Sequence, residues 1–172
     1  MARQFEQALA DLTGAKHAIV CANGTTALHL ACLGLKIETG DLGLTSPITF
    51  LSSANCVEFC GGRSDFIDID MASLSLSPEK LELYCETVAI PKVVIPVDFA
   101  GVAADLPTIY ALSKKYGFYV IEDAAHSIGT TYKDDSGIAY QCGSCAHTDA
   151  AIFSFHPVKT ITTGEGGGCF NK

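Results

Sequence analysis

The chain has 172 residues, 48% of them hydrophobic and 17% charged, which fits one domain around a sizeable core and excludes a disordered chain. Its formal net charge of −8 argues against a nucleic-acid binder, which needs a basic face, but leaves open a phosphate held locally by backbone amides. No run of about 18 apolar residues offers a membrane span, and Met1-Ala2-Arg3-Gln4-Phe5-Glu6-Gln7 lacks the apolar core of a secretion signal, so a cytoplasmic protein without a membrane partner is expected.

Phe5, Ala8, Leu9 and Leu12 recur at helical spacing, and Gly14 stops that helix. His17–Cys21 reads as a strand. Asn23-Gly24-Thr25-Thr26 is a turn leading into a buried helix over Ala27–Leu33, with Thr25 as its cap. A short strand at Leu42–Thr45, a helix around Leu51–Cys60 and a strand at Asp65–Ile69 follow. Ser77-Pro78-Glu79 opens another helix: a capping oxygen, a proline at the first position and an acid in the first turn.

Lys92–Val97 and Tyr119–Ile121 are continuous apolar runs, as in strands covered on both faces of a parallel sheet. Between them Leu106–Tyr116 is helical and Gly117 ends it, so the segment is a βαβ unit. Tyr132–Ser144 reads as a loop or small hairpin, and Ala150–Ser154 as a further strand. The fold class is α/β: a three-layer α/β/α sandwich around a mostly parallel sheet.

Eight cysteines mostly sit in apolar runs, where a free thiol behaves as a small hydrophobe. Cys142-Gly143-Ser144-Cys145 is a lone C-x-x-C near His147. Zinc needs a second ligand pair, and none has suitable spacing. No metal is expected, and the thiols read as spectators in a reducing compartment.

Ligands of such sheets gather outside the carboxyl ends of the strands. Three segments converge there: Asn23-Gly24-Thr25-Thr26, Glu122-Asp123 and Ser154. Gly24 permits close backbone approach, and Thr25 and Thr26 stand at a helix N-terminus that favours an anion. Read alone, the same turn is an ordinary strand-to-helix connection. Asp123 ends an apolar strand, a poor place for a carboxylate without a partner. His126 and Phe50 read equally as a hydrogen-bonded histidine and a core aromatic, or as groups against a bound ring. Lys159 follows the apolar run Ala150-Ala151-Ile152-Phe153 and precedes Gly164-Glu165-Gly166-Gly167-Gly168. That setting suggests a desolvated amine, which is more readily neutral and nucleophilic. A nucleophilic lysine beside a phosphate-binding serine suits an imine with pyridoxal 5′-phosphate, and a carboxylate on the pyridine nitrogen completes its electron sink.

Phe5-Glu6 with Gly14-Ala15-Lys16, Asn23 to His29, Thr49-Phe50, Asp98-Phe99-Ala100-Gly101, Ile121 to His126 and Ser154 to Gly167 together carry a resemblance. The chain resembles the DegT/DnrJ/EryC1/StrS family of nucleotide-sugar aminotransferases, of pyridoxal-phosphate fold type I, over essentially its whole length. The resemblance implies Lys159 as the residue that binds the cofactor covalently and Asp123 as the partner of the pyridine nitrogen. It also implies Ser154 with the amides around Gly24, Thr25 and Thr26 at the phosphate, Phe50 against the ring, and His126 near the phenolate oxygen. Lys159 stands where a dehydratase branch carries histidine, which points to transamination.

Thr45–Phe50 and Phe155–Thr163 are most similar to the pseudaminic acid branch. That likeness implies glutamate as amino donor and a UDP-linked 4-keto-6-deoxy sugar as acceptor. Family members are longer, so residues 1–172 are expected to be a cofactor-binding large domain lacking the C-terminal small domain. Exposed apolar surface and self-association, normally as a homodimer, are expected with it. Two alternatives accompany this reading: a non-catalytic remnant of such an enzyme, and a nucleotide-binding Rossmann protein that would use the glycine run at 164–168.

Overall fold

The computed structural model describes residues 1–172. Helix α1 (Ala2–Thr13) stops where Gly14 adopts a left-handed φ of 79° and returns its N–H to Ala10, a conformation that costs glycine little. Strand β1 (His17–Cys21) leads through a two-residue turn into helix α2 (Gly24–Gly34). The cap of α2 is Asn23, not Thr25. Asn23 is extended and its side-chain oxygen accepts the Thr26 N–H at 2.8 Å, whereas Thr25 already lies inside the helix.

Strand β2 (Leu42–Thr45) and helix α3 (Ser52–Glu58) follow. Strand β3 covers Arg63–Phe66 rather than 65–69, because its register partner β2 is only four residues long and runs out at Thr45. Ile69 instead bridges Leu76. Helix α4 (Pro78–Thr87) starts on Ser77, whose hydroxyl accepts the Lys80 N–H. Strand β4 (Val93–Ile95), helix α5 (Leu106–Tyr116, ended by Gly117) and strand β5 (Tyr119–Asp123) form the expected βαβ unit. Strands β6 (Thr131–Lys133) and β7 (Ala139–Gln141) make the small hairpin, and β8 (Ala150–Ser154) returns to the sheet.

The glycine run at 164–168 does not form a dinucleotide loop. It enters strand β9 (Gly167–Asn171), which lies antiparallel between β1 and β8 in a seven-stranded sheet ordered β1-β9-β8-β5-β4-β2-β3. Within this sheet antiparallel pairing is confined to β9; the other six strands are mutually parallel. Gly166 and Gly167 are there for room. A Cβ on Gly167 would stand 2.3 Å from the Asn23 carbonyl oxygen and 2.8 Å from the Gly24 nitrogen. The Gly167→Ala variant should therefore displace the Asn23-Gly24 turn and lose about 1–3 kcal/mol of stability, the usual cost of overpacking; a urea melt of the variant checks this.

Central strands are buried on both faces, which explains their uninterrupted apolar sequence. Val93, Ile95, Ile121 and Ile152 pack against Leu28, Cys32, Cys56 and Val57 of α2 and α3. Val94 and Val120 point the other way, onto Leu81 of α4 and Leu106, Ile109 and Leu112 of α5. A third cluster joins Leu9 of α1 to Phe153, Phe155 and Phe170. The result is a helix–sheet–helix sandwich, as expected. No helix is long and apolar enough to cross a membrane.

Candidate active site

A cavity of about 340 Å³ opens at the carboxyl ends of the parallel strands, large enough for a small cofactor. It is lined by Gly24 and Thr25 from the start of α2, Phe50 ahead of α3, Asp123 at the end of β5, His126 beyond it, Ser154 at the end of β8, and Lys159. Of the expected catalytic and cofactor-binding residues, Thr26 alone does not line it, and Glu122, beside Asp123, faces away from it. Its N–H and its hydroxyl both turn back to the Asn23 side chain, at 2.8 and 2.9 Å. Helix capping has used the donors that an anion would need.

The Gly24 and Thr25 amides have no backbone acceptor, as the first turn of a helix requires. Gly24 also meets β8 closely: a Cβ there would lie 3.0 Å from Ser154 Cβ. That contact brings the Ser154 hydroxyl beside the free amides. The Thr25 hydroxyl is tied to Ser52 at 2.6 Å, joining the starts of α2 and α3. Free amides, a dipole and a hydroxyl at one corner suit a phosphate.

Asp123 is 4% exposed. Ser53 donates to its Oδ2 at 2.6 Å and the Ala125 N–H to its Oδ1 at 3.2 Å. Burial pushes its carboxyl above the usual range, opposed by these two donors and by the Lys159 charge. A carboxylate has about four acceptor positions, so Asp123 retains capacity for a further N–H, best a cationic one. A protonated pyridine nitrogen fits that vacancy in its bonding. Ser53 is a residue of the candidate site that the sequence reading missed. Its hydroxyl also meets Thr49 Oγ1 at 2.6 Å, so a relay runs Thr49, Ser53, Asp123. Hydroxyls at helix starts are too common to have marked it.

Lys159 is half-buried, and burial lowers its pKa, with Asp123 acting in the opposite sense. Its ammonium takes part in none of the chain's salt bridges, so it is not locked to a structural acid. His126 Nδ1 accepts the Ala100 N–H at 3.3 Å. Burial first, then Lys159, lower its pKa. The imidazole is therefore neutral with its proton on Nε2. Phe50 is 73% exposed at the rim, so core packing does not account for it. His156 and Glu165, 3.8 Å apart and exposed, line the opposite lip.

The Ser53→Ala variant should leave Asp123 one donor short, raise its carboxyl pKa further, and weaken any cationic partner by about 1–3 kcal/mol; the pH dependence of pyridoxal-phosphate binding reports it.

Cys142 and Cys145 are buried free thiols. His147, read beside them, turns its Nδ1 to the Tyr132 hydroxyl at 3.0 Å.

Known proteins are similar to this chain in sequence and in fold. The family model described as the DegT/DnrJ/EryC1/StrS aminotransferase family matches residues 1–172. The chain is 41% identical over 165 residues to the spore coat polysaccharide biosynthesis protein SpsC of Bacillus subtilis (strain 168), covering 96% of the chain and 40% of SpsC. It is 40% identical over 164 residues to the GDP-perosamine synthase of Caulobacter vibrioides, covering 95% and 42%. Thus it spans about two fifths of the length of these relatives.

Among solved structures, the aminotransferase from Psychrobacter cryohalolentis superposes with a TM-score of 0.89 at 34% identity, over 99% of this chain and 41% of that one. Helicobacter pylori PseC, an aminotransferase of pseudaminic acid biosynthesis, gives 0.86 at 28%, over 99% and 44%. The sugar aminotransferase Spr1654 of Streptococcus pneumoniae matches in its PLP form with a TM-score of 0.85 at 25% identity, over 99% and 45%, and a PMP form is also known. Pyridoxal phosphate is the cofactor of this group, whose solved structures include PLP and PMP forms. With its full length matched and its fold shared, the chain belongs to the DegT/DnrJ/EryC1/StrS aminotransferase family.

Proposed function

We propose that the chain carries the cofactor-binding part of an enzyme that moves an amino group from glutamate to a nucleotide-linked 4-keto-6-deoxy sugar. The observation that carries the reading is that Lys159 and Asp123 face one cavity whose corner holds Ser154 and the open start of α2. Residues 1–172 are on this reading the large domain, acting in the cytoplasm and in self-associated form. The pseudaminic-type acceptor, a UDP-linked sugar, is favoured by the Thr45–Phe50 and Phe155–Thr163 segments.

When bound, pyridoxal phosphate supplies the electron sink for the carbon that loses its proton. The chain's own residues supply the rest. Lys159 Nζ, more readily neutral than a solvated amine because it is partly desolvated, would hold the cofactor through its aldehyde and, when free, would serve as the base that moves the proton of the donor's α-carbon. Asp123, held by Ser53 and Ala125, would accept the pyridine N–H and keep that proton in place. Ser154 and the Gly24 and Thr25 amides orient the phosphate. Phe50 would stand against the ring, and His126 Nε2–H would be a donor for the phenolate oxygen. Because Thr26 is spent on Asn23, it acts by holding the helix start in shape.

The test is a titration of the chain with pyridoxal phosphate, then with glutamate and a UDP-linked 4-keto sugar. The reading expects a visible band that glutamate bleaches and the keto sugar restores. A band that forms and does not respond to glutamate would identify a binding remnant without turnover.

A further inference from the structure

Behind the cavity wall, on the other side of β5 from Asp123, Asp98 and Glu122 are 0% and 1% exposed. Their carboxyl oxygens and the Cys142 thiol lie within 4.8 Å of one another. Neither acid has a lysine, arginine or histidine partner. Two adjacent buried carboxylates cannot both stay ionised without a counter-charge. The donors around them are unequal. Asp98 accepts the Ser127 hydroxyl at 2.6 Å on one oxygen and the Ala104 N–H at 2.9 Å on the other. Glu122 has one N–H, from Gly143, shared between its two oxygens at 3.0 and 3.1 Å. The better solvated acid, Asp98, keeps the charge.

We propose that Glu122 is a neutral acid donating its proton to the Asp98 carboxylate, and that this proton-bridged pair is the positioning device that fixes His126 as an Nε2–H donor at the cavity. The linkage is short. The Asp98 N–H donates to the Asp123 carbonyl at 3.1 Å, so the two acids of the wall share backbone. Two residues beyond Asp98, Ala100 takes a left-handed φ of 54° and aims its N–H at His126 Nδ1. One residue beyond His126, Ser127 is clamped by Asp98. The Thr130 hydroxyl ties the far end to the Gly101 carbonyl at 3.0 Å. The 98–104 turn and the 124–130 loop are thus stitched on both sides of the imidazole.

Burial pushes both carboxyls up, Glu122 much further than Asp98, and the Asp98 charge adds to its rise. The other titratable groups facing the pair are Cys142, Cys145 and Tyr132. Burial also raises all three, Cys145 to about 12, so they stay neutral near pH 7. Asp123 and Lys159 face His126 from the cavity.

The inference deepens the proposed function and rests on it for the use of His126, but its test needs no cofactor. Histidine-labelled chain is observed by long-range proton–nitrogen NMR, with the His126 signal assigned by its loss in His126→Gln. The expected wild-type pattern is an unprotonated Nδ1 and a protonated Nε2. Glu122→Gln, which keeps a donor toward Asp98, should preserve that pattern; Glu122→Leu should give mixed tautomers. An unchanged His126 in folded Glu122→Leu would overturn the proposal.

Should Glu122→Leu not fold, thermal melts of wild type and Glu122→Gln decide. Glu122 binds its proton more tightly folded than unfolded. Wild-type stability should therefore fall relative to Glu122→Gln as pH rises above the unfolded value of about 4.3, with a Tm gap on the order of several degrees by pH 8. Parallel curves would show that no proton is trapped, and a melt lowered by a chelator would put a cation in its place; either result overturns the proposal. Because neither measurement involves pyridoxal phosphate, failure of the proposed function and failure of this device are read separately.

Discussion

The Lys159→Ala variant should lose the visible absorbance that pyridoxal phosphate gives with the wild-type chain, and should resist covalent trapping at the cavity by borohydride. The expectation rests on the lysine's surroundings. Lys159 lies half in the protein and outside every salt bridge, so its amine gives up a proton at lower cost than a solvated one. No other lysine lines the cavity. Any exposed lysine that condenses with the reagent will do so weakly, without the cavity's phosphate and pyridine contacts. In a catalytically competent form, amino transfer should fall by about 10²–10⁴-fold from loss of the proton shuttle alone, with loss of the covalent step added to it. Retention of both the band and transfer would remove Lys159 from the chemistry. Stability should barely change, because the side chain makes no hydrogen bond whose loss would orphan a partner.

Asp123→Asn separates binding from stability. Asparagine can still accept from Ser53, but it cannot supply the charge that holds a protonated pyridine nitrogen. Removing one member of a buried charged hydrogen bond costs about 2–5 kcal/mol, so cofactor affinity should drop roughly 30- to 4,000-fold. The cofactor-free variant should move the other way. Burial raises the Asp123 carboxyl above its unfolded value, so the folded chain holds that proton more tightly. The ionised acid therefore costs stability increasingly as pH climbs from about 3.9 through the folded value. At neutral pH the cofactor-free Asp123→Asn chain should melt higher than wild type, and the advantage should vanish in acid. A lower melting temperature at neutral pH would mean that Asp123 is a structural acid.

The parallel strands and their covering helices are legible in the sequence because both faces are buried: Val93-Val94-Ile95 and Val120-Ile121 alternate between two cores, so no polar position interrupts them. Strand β9 escapes such a reading. Its two opening glycines carry no hydrophobic pattern, and at Gly167 the reason is steric: it must clear the Asn23 carbonyl, a contact 144 positions away along the chain. The cap of α2 is displaced for a similarly local reason. Asn23 and Thr25 are both good capping residues, and backbone geometry, which places Asn23 alone outside the helix, chooses between them. Within the cavity, Lys159, Asp123 and Ser154 are conspicuous because their type contradicts their apolar context. Ser53 is not, since its partner lies 70 residues away. Glu122 is hidden by Asp123 beside it, although alternation in a strand sends the two side chains to opposite faces and only one of them into the cavity.

The most direct measurement is a crystal structure of the chain soaked with pyridoxal phosphate. The account predicts continuous density from Lys159 Nζ into the ring, the Asp123 carboxylate within hydrogen-bond distance of the pyridine nitrogen, and the phosphate on Ser154 and the Gly24 and Thr25 amides. Density joined to another lysine, or a ring bound at Lys159 with its nitrogen turned away from Asp123, would contradict it.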